Sequence, residues 1–365
     1  FPAHDAIRAQ PRSRGLGDVY KRQIEDGSTT SDYHPGEKSR QISIHATPLH
    51  MEWMDKKFNL IDTPGYSDFI GEAIGSLSVV DLAVITIHAV NGVEVGTETM
   101  WNHATKLGIP KMLVVNGIDR EHTKFDTILA QVRSRFGNNV FPMQLPVNEG
   151  LGYNQNVDVL RTKLISYKPD GSGQMTEGEL PDELQEQVKR LHEELIEYVA
   201  ESDDTLLEKF FDEEGLSEED MRNGIHRAIQ DQTFIPLFCT SATSNVGVAR
   251  VCDFISKYGS SPDDRKTITA HDQQGNDVEV SLDGSDTVLQ IFKTVAESHV
   301  GELSLFRVYS GKVKTGQDYH NSDRNTNERF GQMFILNGKN RTQVDQLSAG
   351  AVSYTHLTLP TNREV

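Results

Sequence analysis

Three almost uniformly apolar runs lie along this chain, two of them end in a short polar motif, and this pattern restricts the possible folds most. The runs are Leu82–Ile87, Lys111–Val115 and Phe234–Cys239. A strand with apolar residues at nearly every position is buried on both faces, as in a parallel sheet covered by helices. Segments with apolar residues at helical spacing lie between the runs, so strands and helices alternate. The sequence therefore predicts an α/β fold with a mostly parallel sheet and helices on both faces.

The polar motifs at the strand ends predict a ligand site. They are Asp62–Gly65 (DTPG) after a hairpin predicted over Pro48–Asp62, Asn116–Asp119 (NGID) after the second apolar run, and Ser241–Ala242 after the last run. In open parallel sheets, ligands bind in the crevice outside the carboxyl ends of the strands. We therefore expect the three motifs to lie side by side at that edge.

The first motif and a serine that precedes the hairpin suit magnesium and a nucleotide phosphate. The Asp62 carboxylate can hold Mg²⁺, usually through water, and the Gly65 N–H can reach a γ-phosphate where a side chain would clash. Ser43, which precedes the hairpin, offers a hydroxyl as a further Mg²⁺ ligand. The polar start of a strand explains the segment around Ser43 almost equally well.

The other two motifs suit a guanine base. A carboxylate at Asp119 that accepts N1–H and N2–H₂ selects guanine over adenine, because adenine lacks that pair of donors. Asn116 would join this loop to the phosphate region, and a backbone N–H at Ser241 or Ala242 would donate to guanine O6. Each motif alone is also an ordinary turn sequence, so the prediction depends on their order and spacing along the chain.

Composition narrows the class of protein. The chain has 365 residues, with 36% hydrophobic and 25% charged residues, which is enough for two domains with ordinary cores. No apolar run approaches the ~20 residues that span a bilayer, so we expect no membrane partner. The net charge of −18 opposes non-specific binding of nucleic acid but permits docking on a particular RNA–protein surface. We expect a cytoplasmic monomer.

The predicted elements divide the chain into two folded regions and two tails. A nucleotide-binding domain is predicted over 24–262, with an insert at about 151–232 that forms a helical lobe. Short β-rich runs separated by Gly, Asn and Asp over 263–351 predict a partial antiparallel β-barrel. Residues 1–23 and 352–365 resemble translated sequencing-adapter sequence and look foreign to the fold.

The phosphate-loop pattern Gly-x-x-x-x-Gly-Lys-Ser/Thr does not occur in this sequence. Without the lysine and the Mg²⁺-binding hydroxyl of that loop, the phosphates lose most of their contacts. We interpret the absence as truncation upstream of residue 24. This fragment is therefore expected to bind GTP very poorly and to be inactive as a GTP hydrolase by itself.

With these motifs the chain resembles elongation factor G, one of the translational GTPases. The segments that carry the resemblance are RQISI over Arg40–Ile44 (RGITI in the family), DTPGYSDF over Asp62–Phe69 (DTPGHVDF), NGID over Asn116–Asp119 (NKMD), FCTSA over Phe238–Ala242, and FRVYSGKV over Phe306–Val313 at the start of the second domain. The helical insert is also typical of that family. The likeness covers nearly all of residues 24–351.

The resemblance implies GTP and Mg²⁺ as cofactors, the ribosome as partner, and GTP hydrolysis in translocation by the full-length protein. Tyr66 stands where the family has a histidine that orients the attacking water, Gly117 where it has a base-stacking lysine, and Gln41 where it has a glycine. These departures indicate a diverged paralogue. The alternatives are a ribosome-binding, GTP-dependent protection or regulatory module with little hydrolysis, and a nucleotide-independent interaction protein.

Overall fold

The architecture is taken from a computed structural model, which describes residues 27–211, 216–271, 274–284, 286–297 and 301–358. The predicted tail 1–23 lies outside the described residues, and so do residues 359–365 of the predicted C-terminal tail. Among the helices described, none is long and apolar enough to cross a membrane.

The first region alternates helices and strands. In chain order its elements are α1 (Pro35–Arg40), β1 (Thr47–Trp53), β2 (Lys56–Asp62), α2 (Ile70–Leu77), β3 (Ala83–His88), α3 (Val95–Lys106), β4 (Lys111–Asn116), α4 (Phe125–Phe136), β5 (Val140–Pro142), β6 (Gln144–Pro146), β7 (Gln155–Asp158), β8 (Lys163–Tyr167), β9 (Met175–Gly178), α5 (Asp182–Ala200), α6 (Asp204–Phe211), α7 (Glu218–Gln230), β10 (Ile235–Thr240) and α8 (Val248–Tyr258). A sheet in the order β3-β4-β10-β5 forms the centre, and its strands pair in parallel. The predicted α/β fold is therefore confirmed.

The central strands are buried, and their carboxyl ends are aligned. Every residue of β4 and β10 is buried, which accounts for the nearly continuous apolar sequence of both strands. In the register of β3, β4 and β10, Asn116 lies opposite both His88 and Thr240. The three strands therefore end side by side, at the edge where the polar motifs begin.

β1 and β2 form the predicted hairpin, in which Thr47 lies opposite Asp62. Its turn is made by Met54 and Asp55. Both have positive φ, 49° and 58°, as in the tight turns that match the twist of paired strands. The Trp53 indole donates a hydrogen bond of 2.9 Å to a carboxylate oxygen of α8, so the hairpin is attached to the rest of the first region.

The insert begins with strands, which differs from the predicted helical lobe. β7, β8 and β9 form an antiparallel sheet with β6, and the helices α5, α6 and α7 follow. The strands of this sheet are too short and too polar for their periodicity to show in the sequence. The helices agree with the predicted helical lobe, and the Ser217 hydroxyl caps α7 by accepting the Asp220 N–H (3.1 Å).

The second region is an antiparallel half-barrel. Its elements are β11 (Thr267–His271), β12 (Asp277–Ser281), β13 (Val288–Glu297), β14 (Gly301–Ser310), β15 (Lys312–Lys314), β16 (Asp318–Asn321), β17 (Thr326–Asn337), β18 (Asn340–Val344), β19 (Gln346–Ser348) and β20 (Val352–Thr358). The main sheet runs β13-β14-β20-β17-β16, and β18 pairs with β17. This curled sheet agrees with the predicted partial barrel. β20 continues the sheet past residue 351, where we expected this region to end, and the domain limits themselves stay predictions.

Two basic residues of the half-barrel attach it to the first region. Arg307, with 4% of its side chain exposed, forms an ion pair with Asp81 (2.7 Å). Lys293 forms an ion pair with Glu72 of α2 and donates to the Ala46 carbonyl (3.2 Å). The Glu72 carboxylate also accepts the Ala46 N–H (2.6 Å). Glu72 therefore connects α2, the start of the hairpin and the half-barrel.

Candidate nucleotide site

The side chain of Asn116 joins the second and third motifs. Its Oδ1 accepts hydrogen bonds from the Thr240 hydroxyl (3.0 Å) and from the Ala242 N–H (2.8 Å). The N–H groups of Gly117 and Ile118 both donate to the Thr240 carbonyl (2.9 and 3.2 Å). Two segments far apart in the chain are thus in direct contact at the carboxyl edge of the sheet, as the sequence predicts.

A tight turn carries Asp119 at this edge. Gly117 has φ of 87°, which glycine adopts without strain, and its carbonyl accepts the Arg120 N–H at 3.0 Å. Ile118 is fully buried and anchors the turn, while Asp119 remains partly exposed. The Ile118 carbonyl also accepts the Gly150 N–H (2.8 Å). The carboxylate predicted to read the base is therefore held by a fixed backbone and stays within reach of solvent.

The loop that begins at Ser241 is closed on itself. Ser241 and Val246 exchange two backbone hydrogen bonds, of 3.0 and 2.9 Å. Gly247 completes the turn with φ of 80°, and a Cβ placed there would lie 2.4 Å from the Cys239 carbonyl oxygen. The Ser241 N–H is held by the backbone of Val246, whereas the partner of the Ala242 N–H is the Asn116 side chain, which can move, so Ala242 is the better candidate of the two for donating to a ligand.

The first motif lies beside the start of α3. Asp62, which is 8% exposed, ends β2. Gly65 is exposed and lies close to Gly96, near the N-terminus of α3. A Cβ placed on Gly96 would be 3.6 Å from the Gly65 carbonyl oxygen. α3 follows the loop that leaves β3 at His88, the residue opposite Asn116. This contact brings DTPG to the same end of the first region as the other motifs.

Ser43 belongs to a segment that is closed by a buried carboxylate. Glu37 is fully buried and accepts the backbone N–H groups of His34, Ile44 and His45, at 3.0 to 3.1 Å. Ser43 is half-buried and follows the chain toward Thr47, the partner of Asp62 across the hairpin. The two predicted Mg²⁺ ligands thus lie on neighbouring segments. Sequence reasoning missed Glu37, because no motif marks a carboxylate that binds its own loop.

Tyr66, the residue predicted at the water-orienting position, is 48% exposed. Its carbonyl accepts the Phe69 N–H (3.0 Å) in a short helical turn before α2. Within the described ranges its hydroxyl forms no hydrogen bond to protein. The phenol is therefore available to solvent, next to the glycine predicted to contact a γ-phosphate.

His88 adds a neutral imidazole to this edge. Its Nδ1 accepts the N–H groups of Val90 (3.2 Å) and Asn91 (3.3 Å). Burial lowers the pKa of His88, and the positive charge of Arg120 lowers it further, while Glu94 acts in the opposite direction. An unprotonated Nδ1 is what two backbone donors require, so the two observations agree.

The residues present fit a magnesium ion and a nucleotide in their donor chemistry. Asp62 and Ser43 supply a carboxylate and a hydroxyl, the hard oxygen ligands that Mg²⁺ takes together with phosphate oxygens and water. In the described part of the chain, no group of three or more His, Cys, Asp or Glu residues could hold a metal by itself. A bound nucleotide would therefore have to complete the coordination.

The family "Elongation factor Tu GTP binding domain" matches residues 13–261. This chain belongs to that family. A second family, "Elongation factor G domain 2", matches residues 287–356 of this chain. That range covers most of the half-barrel. The predicted resemblance to elongation factor G is thus confirmed in both regions.

Individual relatives agree with the family. The chain is 34% identical to elongation factor G of Salinibacter ruber (strain DSM 13855 / M31) over 336 residues, which cover 91% of this chain and 48% of that protein. A crystal structure of the Thermus thermophilus protein ttk003000868 superposes with a TM-score of 0.82 at 28% identity, over 96% of this chain and 50% of the other. The chain therefore spans about half the length of these relatives.

Proposed function

We propose that this chain is the GTP-binding part of an elongation factor G-like translational GTPase, a cytoplasmic monomer that binds Mg²⁺ and GTP and acts on the ribosome. The observation that carries the proposal is the contact of Asn116 with Thr240 and Ala242. Asn116 begins the loop that holds Asp119, so this contact brings Asp119 and Ala242 to the same edge of the sheet. A nucleotide base bound at this edge would meet a carboxylate and a backbone N–H in fixed positions. Translocation is the ribosomal movement that we assign to the whole protein.

In this proposal the base is read by two groups. Asp119 accepts the N1–H and N2–H₂ of guanine, and the Ala242 N–H donates to O6. The Ala242 N–H is bonded to Asn116 Oδ1, so guanine O6 would share this donor or displace the amide. Adenine offers a donor where guanine has O6 and lacks the N1–H, so the same groups reject it.

Asp62 and Ser43 are the residues proposed to hold Mg²⁺, which neutralises the charge on the phosphate oxygens when it is bound. The Gly65 N–H is proposed to donate to the γ-phosphate. Glu72 then links this region to the half-barrel through Lys293. Occupation of the phosphate position would therefore affect a helix that is already tied to the second region.

Replacing Asp119 by asparagine tests the base contact. The asparagine amide accepts the N1–H of xanthine and donates to its C2 carbonyl, whereas guanine has an amino group at C2. The preference of the site should therefore move from the guanine to the xanthine nucleotide by about tenfold to a hundredfold. The measurement is competition between GDP and XDP for the full chain, with Asp126→Asn, an exposed residue of α4, as the charge-matched control. An unchanged preference for guanine would remove Asp119 from the site.

A module that binds the ribosome with GTP but hydrolyses little of it is the second candidate. Tyr66 favours it, because an exposed phenol can hydrogen-bond a water but lacks the cationic form of an imidazole. Loss of one positioning group costs about two to three powers of ten in rate at other active sites.

Single-turnover GTP hydrolysis by the full-length protein with ribosomes separates the two candidates. Rapid hydrolysis by the wild type supports the translocase. A slow wild type that is accelerated by Tyr66→His supports the protection or regulatory module. Ribosome binding that ignores GTP analogues would contradict both and favour a nucleotide-independent interaction protein.

A further inference from the structure

Gly117 has no side chain, so the space beside the loop Asn116–Asp119 is open where a longer residue would project. A Cβ placed on Gly117 would meet the Arg120 side chain first, at 3.6 Å from Cγ, 3.8 Å from Nε and 3.9 Å from Cδ. The stem of Arg120 therefore covers the space beside Gly117. In the resemblance described above, Gly117 takes the place of a base-stacking lysine.

The backbone holds Arg120 in this place. Its N–H donates to the Gly117 carbonyl (3.0 Å), and its carbonyl accepts the Thr123 hydroxyl (2.9 Å). The side chain is exposed, and within the described residues its guanidinium has neither an ion pair nor a hydrogen bond. The positive charge also lowers the pKa of His88 at the end of β3, so the guanidinium lies near that strand end.

The chemistry of this side chain suits the face of a purine. A guanidinium is planar and delocalised, stacks on π-systems, and loses little hydration when it does so. The preceding residue, Asp119, is the group proposed to accept hydrogen bonds from the edge of the base. Consecutive residues of one tight turn can therefore contact the edge and the face of the same ring.

We propose that Arg120 stacks on the guanine base and supplies the contact that the lysine at position 117 makes in related proteins. The proposal rests on the proposed function, because it requires that the base binds beside Asp119. It adds a residue that determines affinity for the base, independently of the phosphates.

The test is equilibrium dialysis of the full chain with GDP and, separately, with guanosine at millimolar concentration. Arg120→Ala should weaken both ligands about tenfold or more, since loss of one stacking partner costs that much at other base-binding sites. Arg120→Lys keeps the charge without the planar group and should recover only part of the affinity. Lys189→Ala removes the same charge from an exposed site on α5 and should change neither affinity.

The rescue variant distinguishes stacking from general attraction. Gly117→Lys in the Arg120→Ala background should restore part of the binding of guanosine, because a Cβ at this position meets no backbone atom among its nearest neighbours. A side chain at φ of 87° is strained, and Gly117→Ala in the same background carries the same strain and is the control.

Equal binding by wild type and Arg120→Ala would overturn the inference and leave the proposed function intact. Weaker binding of GDP with unchanged binding of guanosine would also overturn it, by assigning Arg120 to the phosphates. Weak binding is expected without the phosphate loop, but a wild type that binds neither ligand even at millimolar concentration would overturn the proposed function for this chain as well.

Discussion

Replacing Lys111 by methionine should stabilise the fold near neutral pH. Lys111 begins β4, the strand whose other end carries Asn116, and only 2% of it is exposed. Its ammonium donates to the Gln232 side chain and to the Ile109 carbonyl (3.5 Å), and lies 5.2 Å from the Trp101 ring centre. In the described residues no carboxylate pairs with it. The charge is thus buried with only neutral partners.

The size of the effect follows from the pKa. Burial lowers the pKa of Lys111 from 10.5 to about 8. The unfolded chain therefore binds more protons than the folded chain between these values, so the free energy of unfolding rises with pH in that range. The charged form costs about 3 kcal/mol at pH 7 and about 1 kcal/mol at pH 10. Methionine has a similar length and carries no charge, so the variant lacks this pH dependence.

The assay is urea unfolding at pH 7 and pH 10, followed by tryptophan fluorescence, to which Trp101 beside Lys111 contributes. The advantage of the variant over wild type should shrink by about 2 kcal/mol between the two pH values. Comparison with the variant cancels the titration of other groups. Lys106→Met, at an exposed position of α3, should show no such change. An advantage of Lys111→Met that is the same at both pH values would refute the reasoning.

Two further predictions concern the edge of the sheet. Gly247→Ala should destabilise the fold by more than about 2 kcal/mol, because the methyl group meets the Cys239 carbonyl at 2.4 Å in addition to the cost of positive φ. Gly152→Ala, with φ of 85° and open space around the Cβ, should cost only about 1 kcal/mol by thermal unfolding, and equal losses would contradict the steric account. The His88 midpoint in an NMR titration should lie below 6.5 and should rise in Arg120→Ala; a midpoint that stays in place would show that burial alone sets it.

Much of the fold could be predicted from local signals. α6 and α7 begin and end where apolar spacing and the Ser217 cap indicate, and β4 and β10 are buried as their composition requires. The strands of the insert could not be predicted. β7 (QNVD) is short and mostly polar, yet Val157 packs in the core and the buried Asn156 amide donates to the Cys239 carbonyl (3.4 Å). That partner lies in a distant part of the sequence.

Part of the candidate site could likewise be predicted from the sequence, and part could not. The convergence of the motifs follows from strand order, so the contact of Asn116 with Ala242 could be expected in outline. The bonds inside each loop could not. The pairing of Ser241 with Val246 depends on left-handed backbone at Asn245 (φ 56°) and at the glycine that follows Val246, and no motif encodes that closure.

One oxygen of the Glu72 carboxylate holds both the hairpin and the half-barrel. The same Oε2 atom accepts the Ala46 N–H and contacts the Lys293 ammonium, so a sideways step of α2 stretches both attachments together. A displacement of about 1 Å takes a hydrogen bond of ordinary length beyond useful range. A movement of the helix after DTPG would therefore strain its contact with the hairpin and its contact with the half-barrel together.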